Sequence, residues 1–350
     1  MSFISYLTRI HFAELVLEDA LGEEVARLGA ARPVIVIDAD GRIGDGVGRL
    51  ESTLPAECVL HWADWIDAWG RLRDPEAIRA KAADDGCDVI VAFGGREAQA
   101  FGRRLAGQGR PRLPLIAVPT TTADMGVVAG TPSSRRDAVH TAMPAAVLCD
   151  PTLTYGLDPR RTAAFGFGAL TRSIEAFLAP GYNPPADGIA LEGIHRASRY
   201  LARAVDDGAD PEARREVMAA ALNGALAGQK GLGGAEALAR AIEVESREAL
   251  PHGQLHASVL PPVLSFNAPA VGDRYGRIAT AMGAKPGSDL IAALADLAGR
   301  LGLPEKLGHL GLGPTALRRA ALGAAADLAT QTNPRHATEE DYLRLLLEAR

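Results

Sequence analysis

Aromatic side chains make up only 5% of the 350 residues, and the cysteines number three, Cys58, Cys87 and Cys149. An odd, scattered set, each in or beside an apolar stretch, excludes a disulfide framework and lacks metal-type spacing. It reads as buried, reduced thiols in a cytoplasmic protein. Positive charge is not in excess: 37 Lys and Arg against 43 Asp and Glu leave a formal net charge of −6. That balance offers no basic field for nucleic acid or an anionic membrane. No apolar run reaches the roughly 18 residues that span a bilayer, and the opening MSFISYLTRIHF lacks the apolar core of a signal peptide. What the chain does have is 38 Gly and 47% hydrophobic residues, an ordinary globular composition with small residues suited to close helix packing.

The order of patterns implies two domains. Pro33–Asp38 (PVIVID), Asp88–Phe93 (DVIVAF), Pro114–Val118 (PLIAV) and Ala146–Cys149 (AVLC) are near-continuous apolar runs, as in a parallel sheet covered on both faces. Helical spacing over Pro75–Asp85 and Glu97–Ala106 makes these βα units of a doubly wound α/β domain. After Pro151 the strand signal stops. Residues 160–179, 186–205, 211–230, 234–249, 251–266, 287–301, 314–329 and 338–349 all read as helices, several opened by cap chemistry. The expected organisation is an N-terminal dinucleotide-binding α/β domain, residues 1–157, and an all-helical domain, residues 158–350, with a ligand cleft at their junction.

Two turns have the chemistry of a phosphate site. Gly94-Gly95-Arg96 ends a strand and opens a helix, where paired glycines admit close backbone approach and a helix N-terminus offers N–H groups. Thr120 and Thr121, after the next strand, carry hydroxyls for phosphate or ribose. Asp38 ends the first of these strands, where its carboxylate either accepts from a ribose hydroxyl or caps the turn DADG. The Gly41, Gly44, Gly46, Gly48 cluster does not fit G-x-G-x-x-G and reads as a loop.

Taken in order, VAFGGRE, LIAVPTTT, AVLCDPTLTYGLDPR, GFGALTRSIEAFLAPGYNP and LPHGQLHASVLPPVLSFNAPAV resemble the iron-containing alcohol dehydrogenase family. The last segment resembles the maleylacetate reductases, which read L-P-H-A-E-T-H-A and later Asn-Ala-Pro. The resemblance spans nearly the whole chain. It implies the dehydroquinate synthase-like fold of iron-dependent alcohol dehydrogenases, an NAD(H)- or NADP(H)-dependent oxidoreductase activity and a homodimer.

The departures fall on reactive positions. The family's metal is held by an Asp, a His four residues on, and two later His fourteen apart; here these align with Gly168, Arg172, Leu238 and His252. One imidazole beside an arginine does not hold a divalent ion, so no metal is expected. Maleylacetate reductases dispense with metal but keep the helix His that is Arg172 here, and carry His where this chain has Leu238 and Ile242. His252 and His256 share one helix face at i, i+4. In the cofactor segment the family Ser, Asp and Lys align with Arg96, Gln99 and Gly102, while Gly94 and Gly95 persist; a further family motif aligns with Ala123–Val127. Arg96 is either a phosphate ligand, for a 2′-phosphate among others, or a solvated surface residue. The charged stretch Arg240–Glu248 reads either as a solvated helix face or as a segment that reshapes the mouth of the cleft.

The expected cofactor-binding set is therefore Asp38, Gly94, Gly95, Arg96, Thr120 and Thr121, and the expected catalytic set is Arg172, His252 and His256. Arg172 orients a carboxylate or an oxyanion of a small, anionic substrate, and His252 or His256 passes the proton. A second reading is compatible with the departures: a redox-inactive relative doing acid–base chemistry, or an accessory subunit of a biosynthetic complex.

Overall fold

A computed structural model describes residues 8–54, 61–62, 74–123, 125, 142–246, 250–285 and 287–350. Cys58 and, within the aligned Ala123–Val127, Asp124, Gly126 and Val127 lie outside the described residues. The chain divides into two compact units between Leu157 and Asp158.

The first unit is built on a parallel sheet of β1 (Arg9–Phe12), β2 (Pro33–Ile37), β3 (His61–Trp62), β4 (Val89–Gly94), β5 (Leu115–Pro119) and β6 (Ala146–Cys149). The spatial order is β1-β6-β5-β4-β2-β3, and every described pairing is parallel. All residues of β2, β4, β5 and β6 are buried. Alternation sorts them onto two covered faces. Ile35, Ile37, Val91 and Phe93 pack with Leu17 and Leu21 of α1 (Val16–Arg27) and Leu50 of α2 (Gly46–Thr53). Val34, Val36, Ile90 and Ala92 pack with Ala82 of α3 (Pro75–Asp84) and with Phe101 and Leu105 of α4 (Arg96–Gly107). Two covered faces are the physical reason these strands carry no polar alternation. Of the glycine cluster, Gly41 lies in a 3-10 turn, Asp40–Arg42, Gly44 in the loop that follows, and Gly46 and Gly48 in helix α2. Gly41 is required there: a side chain would collide with Ile37 and the Phe93 carbonyl.

Register brings the site-bearing ends together. Ile37 pairs with Phe93 and Gly94 with Pro119, so Asp38, Gly94–Gly95 and Thr120–Thr121 follow the C-terminal ends of three adjacent strands. This is the end of an open α/β sheet at which ligands bind.

The second unit consists of α5 (Pro159–Leu178), α6 (Pro184–Asp206), α7 (Pro211–Ala227), α8 (Gly234–Glu245), α9 (His252–Asn267), α10 (Arg274–Ala281), α11 (Leu290–Arg300), α12 (Pro314–Ala326) and α13 (Glu339–Ala349). Asp158, Asn183 and Asp210 each cap the helix that follows, with Pro in its first turn. Helix α8 stops at Glu245 rather than 249, and α10 is an addition to the helices expected. Small residues set the packing around α5. A side chain on Gly166 would fall on Leu201 of α6, and one on Gly253 of α9 would fall on the Ala164 carbonyl. Leu238 and Ile242 of α8 lie fully buried in the helical core.

Candidate active site

In the helical unit three helices meet at one carboxylate, that of Glu236, whose side chain is 1% exposed. Arg172 on α5 reaches it as a fork, with Nη2 2.9 Å from Oε1 and Nε 3.4 Å from Oε2. Arg240, one turn along α8, places Nη2 3.0 Å from Oε1 and Nη1 3.1 Å from Asp327. From α9, His256 Nε2 lies 3.2 Å from Oε2 and His252 Nε2 lies 3.6 Å from Oε1. The two imidazoles meet edge to face, with ring centres 4.9 Å apart. Gly253 seats the start of α9 on α5, and a side chain on Gly168 would stand 3.6 Å from His256 Nδ1.

Below the cluster, Glu175, one turn beyond Arg172, accepts the N–H groups of Ala235 at 2.7 Å and Glu236 at 3.2 Å. It thereby caps the first turn of α8. Asn333 accepts the Gly234 N–H at 3.0 Å and exchanges amide hydrogen bonds with Asn267. Glu236 is thus fixed by its main chain as well as by its side chain.

The charges follow from these contacts. Burial drives the Glu236 pKa up, but Arg172, Arg240 and His252 outweigh it and hold the carboxyl well below its usual range. Burial, reinforced by the nearby Glu236 charge, pushes Glu175 up to about 7. Burial likewise brings His256 down to about 4 against the opposing pull of Glu236. Fully enclosed and with its pKa brought down in this way, His256 is the weaker of the two expected proton donors. His252, whose side chain is 14% exposed, is the one within reach of solvent.

Three residues of this cluster escape the sequence pattern. Counting fourteen back from His252 leads to Leu238, which is core; the α8 residue facing His252 is Glu236, two positions earlier. Arg240 and Glu243 also face inward, and among the described residues 240–246 only Val244 is prominently exposed, so the solvated-face reading is corrected for that part of the stretch. Arg247 and Glu248 lie outside the described residues. The usable signal was the spacing of Glu236, Arg240 and Glu243, which share one face of an otherwise apolar helix.

Does the cluster fit a metal ion? Glu236, His252 and His256 bring donor atoms within 4.8 Å of one another. Their charges oppose it. The single carboxylate is already shared by two guanidiniums, and like charges about 4 Å apart repel by about 4 kcal/mol at the effective dielectric of such sites, more for a divalent ion. Gly168 supplies no donor, and Arg172 places a fixed cation beside the trio. The trio thus offers three donor atoms to an ion while the two guanidiniums beside it oppose one.

In the sheet unit Asp38 braces the turn. Its Oδ1 accepts the N–H groups of Gly41 and Gly95, each at 3.0 Å, and its Oδ2 accepts that of Ala98 at 3.0 Å. Both oxygens accept from main chain, so of the two roles read for Asp38 these contacts show the turn cap. Gly94 has φ 150°, and a side chain on it would strike Asp38, while one on Gly95 would strike the Asp40 carboxylate. Asp40, absent from the expected set, is the carboxylate at the face of the glycine turn. Arg96 is the half-buried first residue of α4. The Thr120 N–H donates to the Gly94 carbonyl at 3.0 Å, and Thr121 Oγ1 accepts from Ala123 at 3.2 Å. Thr120 Oγ1 is buried without a hydrogen-bond partner, an orphaned hydroxyl beside the turn that suits a polar ligand.

A sequence model of the "Fe-containing alcohol dehydrogenase family, C-terminal" matches residues 162–350. The 4-hydroxybutyrate dehydrogenase of Cupriavidus necator is 36% identical, with 99% of each chain covered. The chain belongs to the iron-containing alcohol dehydrogenase family. A maleylacetate reductase of Burkholderia cepacia is 33% identical over 77% of this chain and 76% of its own. The crystal structure of a 1,3-propanediol oxidoreductase superposes with a TM-score of 0.88, at 24% identity and full coverage of both chains. Membership makes the chain an oxidoreductase of a family with NAD-dependent members. Among the described residues, no helix is long and apolar enough to cross a membrane.

Proposed function

We propose that this chain is a metal-independent, NAD-linked dehydrogenase of a short hydroxy acid, running also as a reductase of the matching oxo acid. The observation that carries the reading is the Arg172 guanidinium, fixed by Glu236 beside two imidazoles where the family resemblance places a metal ligand. With its fork spent on Glu236, a guanidinium so held acts through its fixed positive charge, on a carboxylate or on a developing carbonyl oxyanion. His252 passes the hydroxyl proton. The relative named for 4-hydroxybutyrate supports a small, anionic substrate.

Gly94, Gly95, Arg96, Thr120 and Thr121 would hold the dinucleotide, with the orphaned Thr120 hydroxyl as a polar contact. When bound, the nicotinamide supplies the hydride acceptor or donor. The Asp40 carboxylate beside Gly95 favours NAD(H) over NADP(H), because a 2′-phosphate there meets like charge. The family resemblance supports a homodimer, and the composition supports a cytoplasmic setting.

The test is turnover of 4-hydroxybutyrate with NAD⁺, and of 4-oxobutanoate with NADH, by protein whose metal content is measured on the same sample. Activity without stoichiometric iron or zinc, unaffected by chelators, is expected. Tightly bound metal at about one per chain, or activity only with uncharged alcohols, overturns the reading. Asp40→Ser should shift the ratio of NAD⁺ to NADP⁺ turnover toward NADP⁺.

A further inference from the structure

Glu243 has no place in the site as so far described, yet its position on α8 is specific. It follows Glu236 and Arg240 at i+7 and i+3 on the same helix face, and its Oε2 lies 3.3 Å from His252 Nδ1. The opposite nitrogen, Nε2, lies 3.6 Å from the Glu236 oxygen that Arg172 also approaches, at 2.9 Å. Arg172 Nη2 and His252 Nε2 therefore stand side by side, facing the same carboxylate oxygen, so an oxygen drawn to the guanidinium approaches the imidazole as well. The imidazole is thus aligned between an enclosed side, at Arg172 and Glu236, and an open side, at Glu243, whose side chain is 27% exposed. His256, fully enclosed, has no such outlet.

We propose that Glu243 is a positioning residue and proton outlet for His252, forming with it a relay between the substrate oxygen and solvent. The proposal rests on the metal-independent dehydrogenase reading. In the oxidative direction the substrate C–H pair leaves as hydride to oxidised nicotinamide, and the O–H bond breaks with its proton going to His252 Nε2. The Nδ1 proton passes to Glu243 Oε2 and from there to water, leaving a carbonyl and a neutral imidazole. Reduction runs the same transfers backward. Glu243 and His252 Nδ1 stand at ion-pair distance rather than in a formed hydrogen bond; a carboxylate closing on Nδ1 fixes the tautomer that leaves Nε2 able to accept.

Glu243→Gln keeps the shape and removes the acceptor. In the intact chain, with 4-hydroxybutyrate and NAD⁺, it should lower kcat about 10²-fold while leaving KM and melting temperature near wild type. Turnover of the variant should rise with added imidazole at constant ionic strength, and Glu243→Asp should recover most of it. A second reading needs no turnover: with ¹⁵N-labelled histidine, the His252 Nδ1–H resonance should sit in the carboxylate-bonded, downfield region in wild type and leave it in Glu243→Gln. Unchanged kcat, a loss that imidazole does not relieve, or an unmoved resonance overturns the relay. Wild-type protein inert toward every hydroxy acid and oxo acid overturns the dehydrogenase reading instead, and the resonance still decides whether Glu243 orients His252.

Discussion

Asp38 in the sheet unit and Glu236 in the helical unit are both buried carboxylates, yet their partners differ in kind. Asp38 takes three main-chain N–H groups, all from turns at the ends of two neighbouring strands. Glu236 takes two guanidiniums and approaches two imidazoles contributed by three helices. A carboxylate held by main chain is a geometric brace, indifferent to the identity of the side chains around it. One held by side-chain charges depends on each of them, and each depends on it.

The sharpest way to break this contrast is removal. Glu236→Ala leaves Arg172 and Arg240 enclosed without their shared counter-charge and should cost about 3–5 kcal/mol of unfolding free energy, read by denaturant titration. Adding Arg172→Met should recover part of the loss; a double variant no more stable than Glu236→Ala would show that the pair is not coupled.

Next in size is the effect of pH on Glu175. Its folded pKa, about 7, is raised above the unfolded value. Its contribution is therefore full below the ordinary carboxylate range and lost as pH rises through about 7. His256 acts in the opposite sense: with its pKa lowered to about 4, the unfolded state binds the extra proton and stability grows between that value and its ordinary one. Glu175→Gln isolates the first effect. Relative to wild type it should gain up to roughly 3 kcal/mol between pH 5 and 8, and a stability difference flat across that range would contradict the raised carboxyl.

A smaller loss is expected from Arg172→Lys, which keeps charge but not the fork. It should lower kcat/KM for 4-hydroxybutyrate about 10²-fold with NADH affinity unchanged; equal losses for charged and uncharged substrates would mean that Arg172 serves packing alone. The smallest is Asp38→Asn. One amide nitrogen then faces a main-chain N–H, costing about 1–2 kcal/mol and weakening NADH binding only through the shape of the turn. If Asp38→Asn proved the more damaging to stability of the two carboxylate changes, the comparison would be reversed.

The sheet was legible because two covered faces demand unbroken apolar runs, and PVIVID, DVIVAF, PLIAV and AVLC meet that demand. Strands β1 (RIHF) and β3, of two residues, carry no such run, and their pairing is decided by neighbours far along the chain. Helix α10 is short, and its RYGRIATA offers little beyond Ile278 and Ala279 to bury. In the site, Arg172, His252 and His256 could be named because motif and helical spacing pointed at them, and they do lie together. Glu236 could not, because a fixed spacing of fourteen was carried across the junction of α8 and α9, where the number of intervening residues is free to change. A side chain's place on a helix face survives such a change; its distance along the sequence does not.

Gly253 sets the distance between α5 and α9. Its Cα rests against the main chain of Ala164, so α9 cannot be displaced outward without losing the contact or inward at all. With the helices locked at that separation, Gly168, Arg172, Glu236 and the two histidines are held at fixed distances from one another. Any residue larger than glycine at 253 would force α9 away from α5 and open all of those distances at once.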